Sequence, residues 1–281
     1  MTMTRANGAV ILTPEQVAEL LVQPVGEASI AFQVATLVNT ASSTYRIPTV
    51  TADPQAAWVA EGDEINPSDM TLDEEDVTPS KLAGLTIITR ELADDSSPEA
   101  AATVGQGLAR DIARKVDAAF FGNLAAPAPA GLGSLAVNAT PADVQGVDAG
   151  TAFTSLDPFA EAQSLAEGVG AAITNFVANP ADALALSTIK VGTGSQQTLL
   201  NGVRSINGVP LLVSSAVAAG TVWGIPQDRV VVVVREDATI ETDTSAFFTS
   251  DRVAVKAVMR VGFGFPHKAG LVRVSLSAPA A

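Results

Sequence analysis

The sequence predicts an α+β protein, and three patterns in it support this class. The segment Pro98–Phe121 places an apolar residue at every fourth position, which is the spacing of one face of an α-helix. Residues 252–263, RVAVKAVMRVGF, alternate between apolar and polar side chains, which is the period of a β-strand. Residues 45–50 and 78–92 also have strand character and flank a polar tip.

The chain is long enough to bury a substantial core. Its 281 residues can form one large domain or two smaller ones. Because 47% of the residues are apolar and only 5% are aromatic, the core must be built mainly from Ala, Val, Leu and Ile. No uninterrupted apolar run reaches the roughly 18 residues of a membrane-spanning helix, so no membrane association is expected. The N-terminal segment MTMTRANGAVILTPEQ contains a single arginine and a short apolar patch, so a signal peptide is not expected.

Charge and cysteine content exclude several function classes. The chain contains no cysteine, which rules out disulfides, thiolate metal sites and a cysteine nucleophile. A formal charge of −14 argues against wrapping nucleic acid, because phosphate binding needs clustered lysine and arginine. Such acidity commonly serves solubility. Its distribution is uneven, however, because residues 47–80 contain nine acidic residues and no lysine or arginine.

The N-terminal third predicts an arm followed by a hairpin. Residues 1–12 are expected to form a loose arm, and Thr13 can cap a short helix that ends at Pro24. The strands at residues 45–50 and 78–92 then form a long antiparallel hairpin with the acidic segment at its tip. An isolated two-stranded hairpin is only marginally stable, so this one needs a further surface to rest on.

The clearest helix follows the hairpin. Ser97 is a suitable N-cap and Gly122 a suitable stop signal. At about 1.5 Å per residue, two dozen residues give a rod of roughly 36 Å. The apolar stripe consists of Val104, Leu108, Ile112, Val116 and Phe120. Three basic residues lie off that stripe: Arg110, Arg114 and Lys115.

The C-terminal half predicts a second subdomain and a set of strands. Residues 123–150 are rich in Pro, Ala and Gly and are expected to link the two parts. A helix is expected from Asp157 to about Val177, and a short buried strand at residues 181–186, ADALAL. Further strands are expected at four segments: residues 206–215 (INGVPLLVSS, after a glycine-containing turn), 228–245, 252–263 and 270–276.

Candidate catalytic groups lack the partners that catalysis requires. His267 is the single histidine and lies in a predicted turn, without a marked nucleophile or orienting carboxylate. Ser195 lacks the glycine two residues later that a nucleophile elbow needs. The glycines of residues 168–173 lie inside a predicted helix, not after a strand. The acidic run at residues 73–76 lacks the ligand spacing of a calcium loop. We therefore predict no enzymatic activity, no cofactor and no metal.

The stretch AAWVAEGDEINPSD, residues 56–69, indicates an interaction surface. It places the large indole of Trp58 beside Glu61, Asp63 and Glu64, among residues typical of turns. A side chain of this size usually lies in a core or at an interface.

The order of these features resembles the major capsid proteins of tailed bacteriophages with the Hong Kong 97-like capsid fold. The resemblance runs over residues 28–276. It rests on five motifs in sequence: AAWVAEGDEI, KLAGLTIITREL, SSPEAAATVGQGLARDIARKVDAAFFGN, INGVPLLVSS and FPHKAGLV. Each motif alone is weak, but their order and spacing together are specific.

The resemblance implies a structural part for each segment. The expected division is an N-terminal arm at 1–45, an extended E-loop hairpin at 46–92, a spine helix with part of the peripheral domain at 93–137, the axial domain at 138–224, peripheral-domain strands at 225–262 and a C-terminal strand returning to the axial domain at 263–281. In this arrangement the hairpin lies across a neighbouring subunit, and Trp58 is an interface residue covered by a second chain.

The resemblance also implies a function and partners. The protein would self-assemble, as pentamers and hexamers, into the icosahedral head shell that encloses the double-stranded DNA genome without binding it specifically. It would be part of the virion, assembled in the cytoplasm of the bacterial host, with a portal as partner. Because the arm begins almost at Met1, scaffolding is expected either to come from a separate protein or to be dispensed with. Some family members cross-link a loop lysine to an asparagine, with the help of a carboxylate. Residues 47–80 contain no lysine and residues 249–259 no Asn or Glu, which predicts a non-covalent shell.

The charge distribution suggests which residues meet at the subunit interface. We expect the acidic loop of one subunit to contact basic positions of the next, because the loop carries no counter-charge of its own. The acidic and aromatic side of this hypothesis is Trp58, Glu61, Asp63, Glu64, Asp73 and Glu74. The basic side is Arg110, Arg114, Lys115, Arg229, Arg235 and Arg252. Two other functions stay open: an encapsulin-type nanocompartment shell with the same fold, and an acidic surface or secreted protein.

Overall fold

The computed structural model describes residues 28–52, 54–59, 62, 64, 67–89, 98–139, 144–192, 195–200, 202–235 and 239–277. It contains both helices and sheets, as the α+β prediction requires. Residues 1–27 of the predicted arm, including the expected helix from Thr13 to Pro24, and the Ser97 cap lie outside the described residues. None of the described helices combines the length and the apolar character needed to cross a membrane.

The helices and strands are numbered along the described part of the chain. The helices are α1 (Ile30–Val34), α2 (Pro98–Phe121), α3 (Asp157–Gly168) and α4 (Pro180–Thr188). The strands are β1 (Thr36–Thr40), β2 (Tyr45–Ala52), β3 (Thr71–Val77), β4 (Ser80–Thr89), β5 (Gln145–Asp148), β6 (Asn175–Ala178), β7 (Ser205–Ile206), β8 (Val209–Val213), β9 (Thr221–Ile225), β10 (Val231–Arg235), β11 (Thr239–Phe247), β12 (Arg252–Gly264) and β13 (Val272–Ser275).

A five-stranded sheet is built around β12. Strand β4 pairs antiparallel along one edge of β12, with Arg252 opposite Thr89 and Val261 opposite Ser80. Strands β10 and β11 share the other edge, and β1 pairs parallel with β10. The predicted strand at residues 228–245 is therefore two strands, β10 and β11. The central valines of β10 are buried because both faces of this strand are covered: Val232 and Val234 lie in the largest core cluster, and Val233 packs against the acidic hairpin.

Helix α2 packs its apolar stripe into the largest core cluster. Ile112 and Val116 are buried, and Phe120 is fully buried with its ring edge-on to Phe263, at a centroid distance of 5.1 Å. This confirms the predicted stripe for the residues whose side chains are described. The helix ends at Phe121, and Leu132 in the following segment is fully buried in the same cluster. Part of the predicted linker is therefore core.

A buried carboxylate joins α1 to α2. Asp117 of α2 accepts hydrogen bonds from the Ser29 hydroxyl at 2.5 Å and from the backbone N–H groups of Ile30 and Ala31 at 3.2 and 3.0 Å. These donors lie at the start of α1, where backbone N–H groups have no partner within the helix. Burial raises the pKa of Asp117, and the three hydrogen bonds oppose that rise.

A six-stranded mixed sheet, in the order β5-β13-β9-β6-β8-β7, forms the second part of the molecule. Its core cluster contains Phe159 of α3 and Phe176 of β6, whose rings meet edge-on at 5.4 Å. The strand predicted at residues 206–215 is present as β8. It follows a tight turn at Asn207 and Gly208, whose φ angles are 49° and 85°. Positive φ at both positions is the geometry of a two-residue hairpin turn.

Two predictions in this part are wrong. The helix beginning at Asp157 ends at Gly168, and residues 175–178 form β6 instead. The predicted strand ADALAL lies inside α4. The reason is local: the Asn179 side chain accepts from the N–H of Ala181 at 3.1 Å, and Pro180 occupies the first turn, so the chain is capped as a helix.

Candidate subunit interface

The acidic hairpin is formed by β2 and β3, which corrects the predicted pairing. Tyr45 lies opposite Val77, and the register continues to Ala52 opposite Thr71. The expected return strand at residues 78–92 is instead β4, which belongs to the sheet around β12. The composition of TLDEEDV favours a polar tip over a strand, because Asp and Glu are rare in strands. A two-stranded ribbon leaves most of these carboxylates exposed, so they remain hydrated.

The base of the hairpin is fixed to the sheet by close packing. Ile47 and Val77 form a buried cluster with Val233 of β10. A Cβ atom at Gly264 would lie 2.6 Å from Ile47 Cδ1 and 2.8 Å from Val77 Cγ2. A Cβ at Gly262 would lie 2.7 Å from Val77 Cγ1. These glycines let the hairpin approach the backbone of β12 more closely than any larger residue would allow.

A partly buried hydrogen bond and a set of exposed ion pairs set the direction of the hairpin. Glu75 of β3 accepts a hydrogen bond from the backbone N–H of Phe265 at 3.0 Å. On the exposed side, Arg46 contacts Glu74 at 2.9 Å and Asp76 at 3.0 Å. The expectation that the loop has no counter-charge is therefore wrong, because Arg46 lies one residue before the acidic stretch and directly across from Asp76. Exposed pairs of this kind contribute only about 0–1 kcal/mol each.

The outer part of the hairpin exposes apolar side chains. Trp58 is fully exposed, at 106% of its reference area, and Val59 is 40% exposed. On the two strands, Val50 and Leu72 are more than half exposed. The Ser68 hydroxyl holds the two legs together through both the N–H and the carbonyl of Gln55, at 2.8 and 3.0 Å. Contiguous exposed apolar side chains are typical of interaction sites.

The structure describes three of the acidic residues that the sequence analysis places at the subunit interface. Glu64, Asp73 and Glu74 are exposed on the hairpin. Glu61 and Asp63 lie outside the described residues. Arg46 pairs with Glu74 and Asp76 near the base of the hairpin. The carboxylates available to a partner subunit are therefore those nearer the tip.

The basic residues of the hypothesis fall into two groups. Arg110, Arg114 and Lys115 are exposed together on α2, and Arg252 is exposed at the start of β12. Arg229, by contrast, already contacts Asp228 at 3.0 Å, and Arg235 is half-buried with an interaction of its own. The exposed group on α2 is therefore the better candidate for contact with another subunit.

The remaining candidate residues are not brought together. His267 is half-buried at the start of a short turn, and burial lowers its pKa, with Arg229 adding to the effect. The Ser195 hydroxyl accepts from the N–H of Gln197 at 3.1 Å. Among the described residues, no group of three or more His, Asp or Glu side chains is arranged to hold a metal ion.

Solved capsid structures share this fold. The chain superposes on the capsid of an empty GTA particle with a TM-score of 0.76 at 18% identity, covering 99% of this chain and 95% of that one. A chain from Mycobacterium phage Adephagia gives a TM-score of 0.74 at 17% identity, covering 90% and 91%. A chain from Microbacterium phage Oxtober96 gives 0.73 at 14% identity, covering 99% and 96%.

Sequence comparison gives the family directly. No curated protein sequence is similar enough to match the chain. The profile of the phage capsid family, however, matches residues 8–276, which is nearly the whole length. The chain therefore belongs to the phage capsid family.

Proposed function

We propose that this chain is the major capsid protein of a tailed bacteriophage. Many copies of it assemble into the closed icosahedral head shell that encloses the double-stranded DNA genome. Membership of the phage capsid family supports this function, and so does the fold shared with solved capsids. The structural observation that carries it is the hairpin of β2 and β3, which is fixed at its base and exposes Trp58 at its outer end.

The hairpin has the properties of an assembly element. A ribbon of two strands cannot bury its own side chains, so its apolar residues remain in water until another surface covers them. Its base cannot swing freely, because Ile47 and Val77 are wedged against Gly264 and Glu75 is bonded to Phe265. A rigidly aimed, apolar and acidic hairpin is suited to lie across a neighbouring subunit.

The two sheets are assigned to the two domains expected of the family. The five-stranded sheet with α2 is the peripheral domain, with α2 as its spine helix. The six-stranded sheet is the axial domain, which gathers around the fivefold and sixfold axes of the shell. The pairing of β13 with β5 and β9 supports the return of the C-terminal strand to this domain.

Pentamers and hexamers of the chain are the proposed building blocks of the shell, and the protein acts as a structural component without enzymatic activity. Assembly takes place in the cytoplasm of the bacterial host, with a portal and a separate scaffolding protein as further partners. These partners stay predictions drawn from the resemblance.

A direct experiment tests the shell. The purified protein is concentrated and viewed by negative-stain electron microscopy. Closed, uniform icosahedral particles are the expected result. A protein that remains monomeric at every concentration, with or without scaffolding protein, would contradict the proposal. Sequencing the nucleic acid inside particles from the native source distinguishes a phage head from an encapsulin-type compartment, which would hold a protein cargo instead.

A further inference from the structure

An apolar groove lies next to the spine helix, on the face of the five-stranded sheet opposite the hairpin. Its volume is about 410 Å³, within the range of about 300–1,000 Å³ typical of small-molecule pockets and therefore large enough for one aromatic side chain. Its floor includes Val116 and Ala119 of α2 and Phe263 of β12, and Leu124 and Pro127 form its wall. Leu124 is 47% exposed, so the groove is open to solvent along this wall.

The rim of the groove is basic. Lys81 of β4 and Lys115 of α2 both line it, and both are exposed. An apolar floor between two ammonium groups matches a ligand that combines an aromatic ring with carboxylates. The tip of the hairpin has this composition, because the exposed indole of Trp58 is followed by Glu64, also exposed.

Trp58 cannot reach the groove of its own chain. The groove borders on Lys81, only four positions after Val77 at the base of the hairpin. Trp58 lies beyond the far end of β2, and eight residues at about 3.3 Å each carry the ribbon roughly 25 Å away from that base. The hairpin also rests on the face of β12 to which Gly264 points, whereas Phe263 and the groove belong to the opposite face.

We propose that Trp58 of one copy inserts into this groove on a second copy of the chain, with Glu64 placed near Lys81 and Lys115. This inference rests on the proposed function, since it names the surface on which the hairpin docks. An exposed tip and an open groove on different faces form a head-to-tail contact, the type of contact that repeats from subunit to subunit and gives rings where its rotation closes. Burial of an indole removes about 150–250 Å² from water, which is enough to anchor a small contact.

The proposed contact changes which basic residues are expected to meet the acidic tip. The sequence hypothesis included Lys115 but not Lys81, which lies just outside the acidic stretch. The groove brings these two lysines together from α2 and β4. Arg114 directly precedes Lys115 on α2, and Arg110 lies about 1.4 turns earlier, so both are available to the remaining carboxylates of the same tip.

Fluorescence quenching measures whether Trp58 is covered on assembly. The chain contains two tryptophans, and Trp223 is only 2% exposed, so it is shielded from acrylamide in subunits and particles alike. Any change in quenching therefore reports on Trp58. We expect the quenching constant to fall several-fold when particles form, and the emission to move to shorter wavelength.

Cross-linking identifies the surface that covers Trp58 in assembled particles. Because the chain has no cysteine, Ala57→Cys with Ala125→Cys introduces the only two thiols, beside the indole and at the groove. A flexible bis-maleimide should join these positions between copies and give a ladder of multimers on a denaturing gel. The matched control pairs Ala57→Cys with Ser187→Cys, which is exposed on α4 of the other sheet, and should give no ladder.

The outcomes separate this inference from the proposed function. Particles in which Trp58 is as accessible as in subunits would overturn the contact and leave shell formation intact. Particles in which Trp58 is covered but cross-links to position 187 and not to position 125 would overturn it as well. A protein that forms no particles under any condition would contradict the proposed function and this contact together.

Discussion

Gly264 lies directly beneath Ile47, so that a Cβ atom at position 264 would be 2.6 Å from the Cδ1 atom of Ile47. This relationship couples a strand of the main sheet to the base of the acidic hairpin. The Cγ2 atom of Val77 is nearly as close, at 2.8 Å from the same Cβ position. The direction in which the hairpin leaves the subunit therefore depends on the absence of a side chain at this position.

Gly264→Ala should destabilise the subunit because the new methyl group has no space. Overpacking of this kind typically costs about 1–3 kcal/mol, measurable as a lower free energy of unfolding in denaturant titrations. Ile47→Val removes the clashing Cδ1 atom and should restore part of the loss. Gly107→Ala is the matched control: no atom lies within 4 Å of its Cβ position in α2, so it should be neutral or stabilising by up to about 1 kcal/mol. Equal effects at positions 264 and 107 would refute the close packing.

Asp117 should make subunit stability depend on pH. Burial raises its pKa above the ordinary value of 3.8, so the folded subunit binds this proton more tightly than the unfolded chain does. The corresponding stability is fully present below pH 3.8 and is lost as the pH rises through the higher pKa of the folded state.

The measurement compares the free energies of unfolding of the natural chain and Asp117→Asn over a pH series. Contributions of the other carboxylates cancel in the difference. The advantage of the natural chain should shrink as the pH rises above 3.8. An advantage that grows with pH would contradict this. It would mean that the hydrogen bonds from Ser29, Ile30 and Ala31 lower the pKa of Asp117 by more than burial raises it.

Assembly should be sensitive to salt because the hairpin is acidic and the exposed face of α2 is basic. Exposed charge pairs are screened at high ionic strength, but a patch of several sets the rate of association. The assembly rate, followed by light scattering, should fall with added salt. Arg114→Glu should slow it further, and Arg204→Glu, an exposed arginine near the second sheet, should not.

Charge reversal on both sides tests whether two particular residues meet. Asp73→Lys combined with Arg114→Glu should recover part of the assembly rate lost by Arg114→Glu alone. Assembly that responds neither to salt nor to any reversal on α2 would leave the acidity as a solubility feature.

Mature particles should dissociate completely into single chains when boiled in detergent. The reason is that residues 47–80, which include the hairpin tip, contain no lysine for a covalent cross-link. A single band near 28.6 kDa is expected on a denaturing gel. A ladder of multimers would show that another lysine, with Lys81 the first to examine, forms the bond.

Much of the fold could be predicted where local pattern and tertiary packing agree. The stripe ending at Phe120 lies along one face of a long helix, and packing against Phe263 uses that same face. The exposed position of Trp58 also follows from its turn-forming neighbours.

The errors arose where local pattern and environment differ. Strand β3 is acidic and has low strand propensity, but pairing with β2 in an exposed ribbon tolerates this. The sequence ADALAL is apolar enough for a strand, and the signal for a helix lies just before it, in the Asn179 cap and Pro180 in the first turn. The groove could not be predicted, because Lys81, Lys115 and Pro127 come from separate segments that meet only in the folded sheet.

The central claim is that the hairpin acts between subunits through Trp58, and Trp58→Ala tests it most directly. Because Trp58 is fully exposed in the subunit, the substitution should leave the free energy of unfolding unchanged. Loss of a buried interface anchor costs roughly 2 kcal/mol or more per contact, repeated at every copy, so particle formation should fail or require a much higher concentration. The yield of particles, counted by electron microscopy beside the natural protein at equal concentration, is the decisive number. A folded Trp58→Ala subunit that forms particles in normal yield would contradict the account.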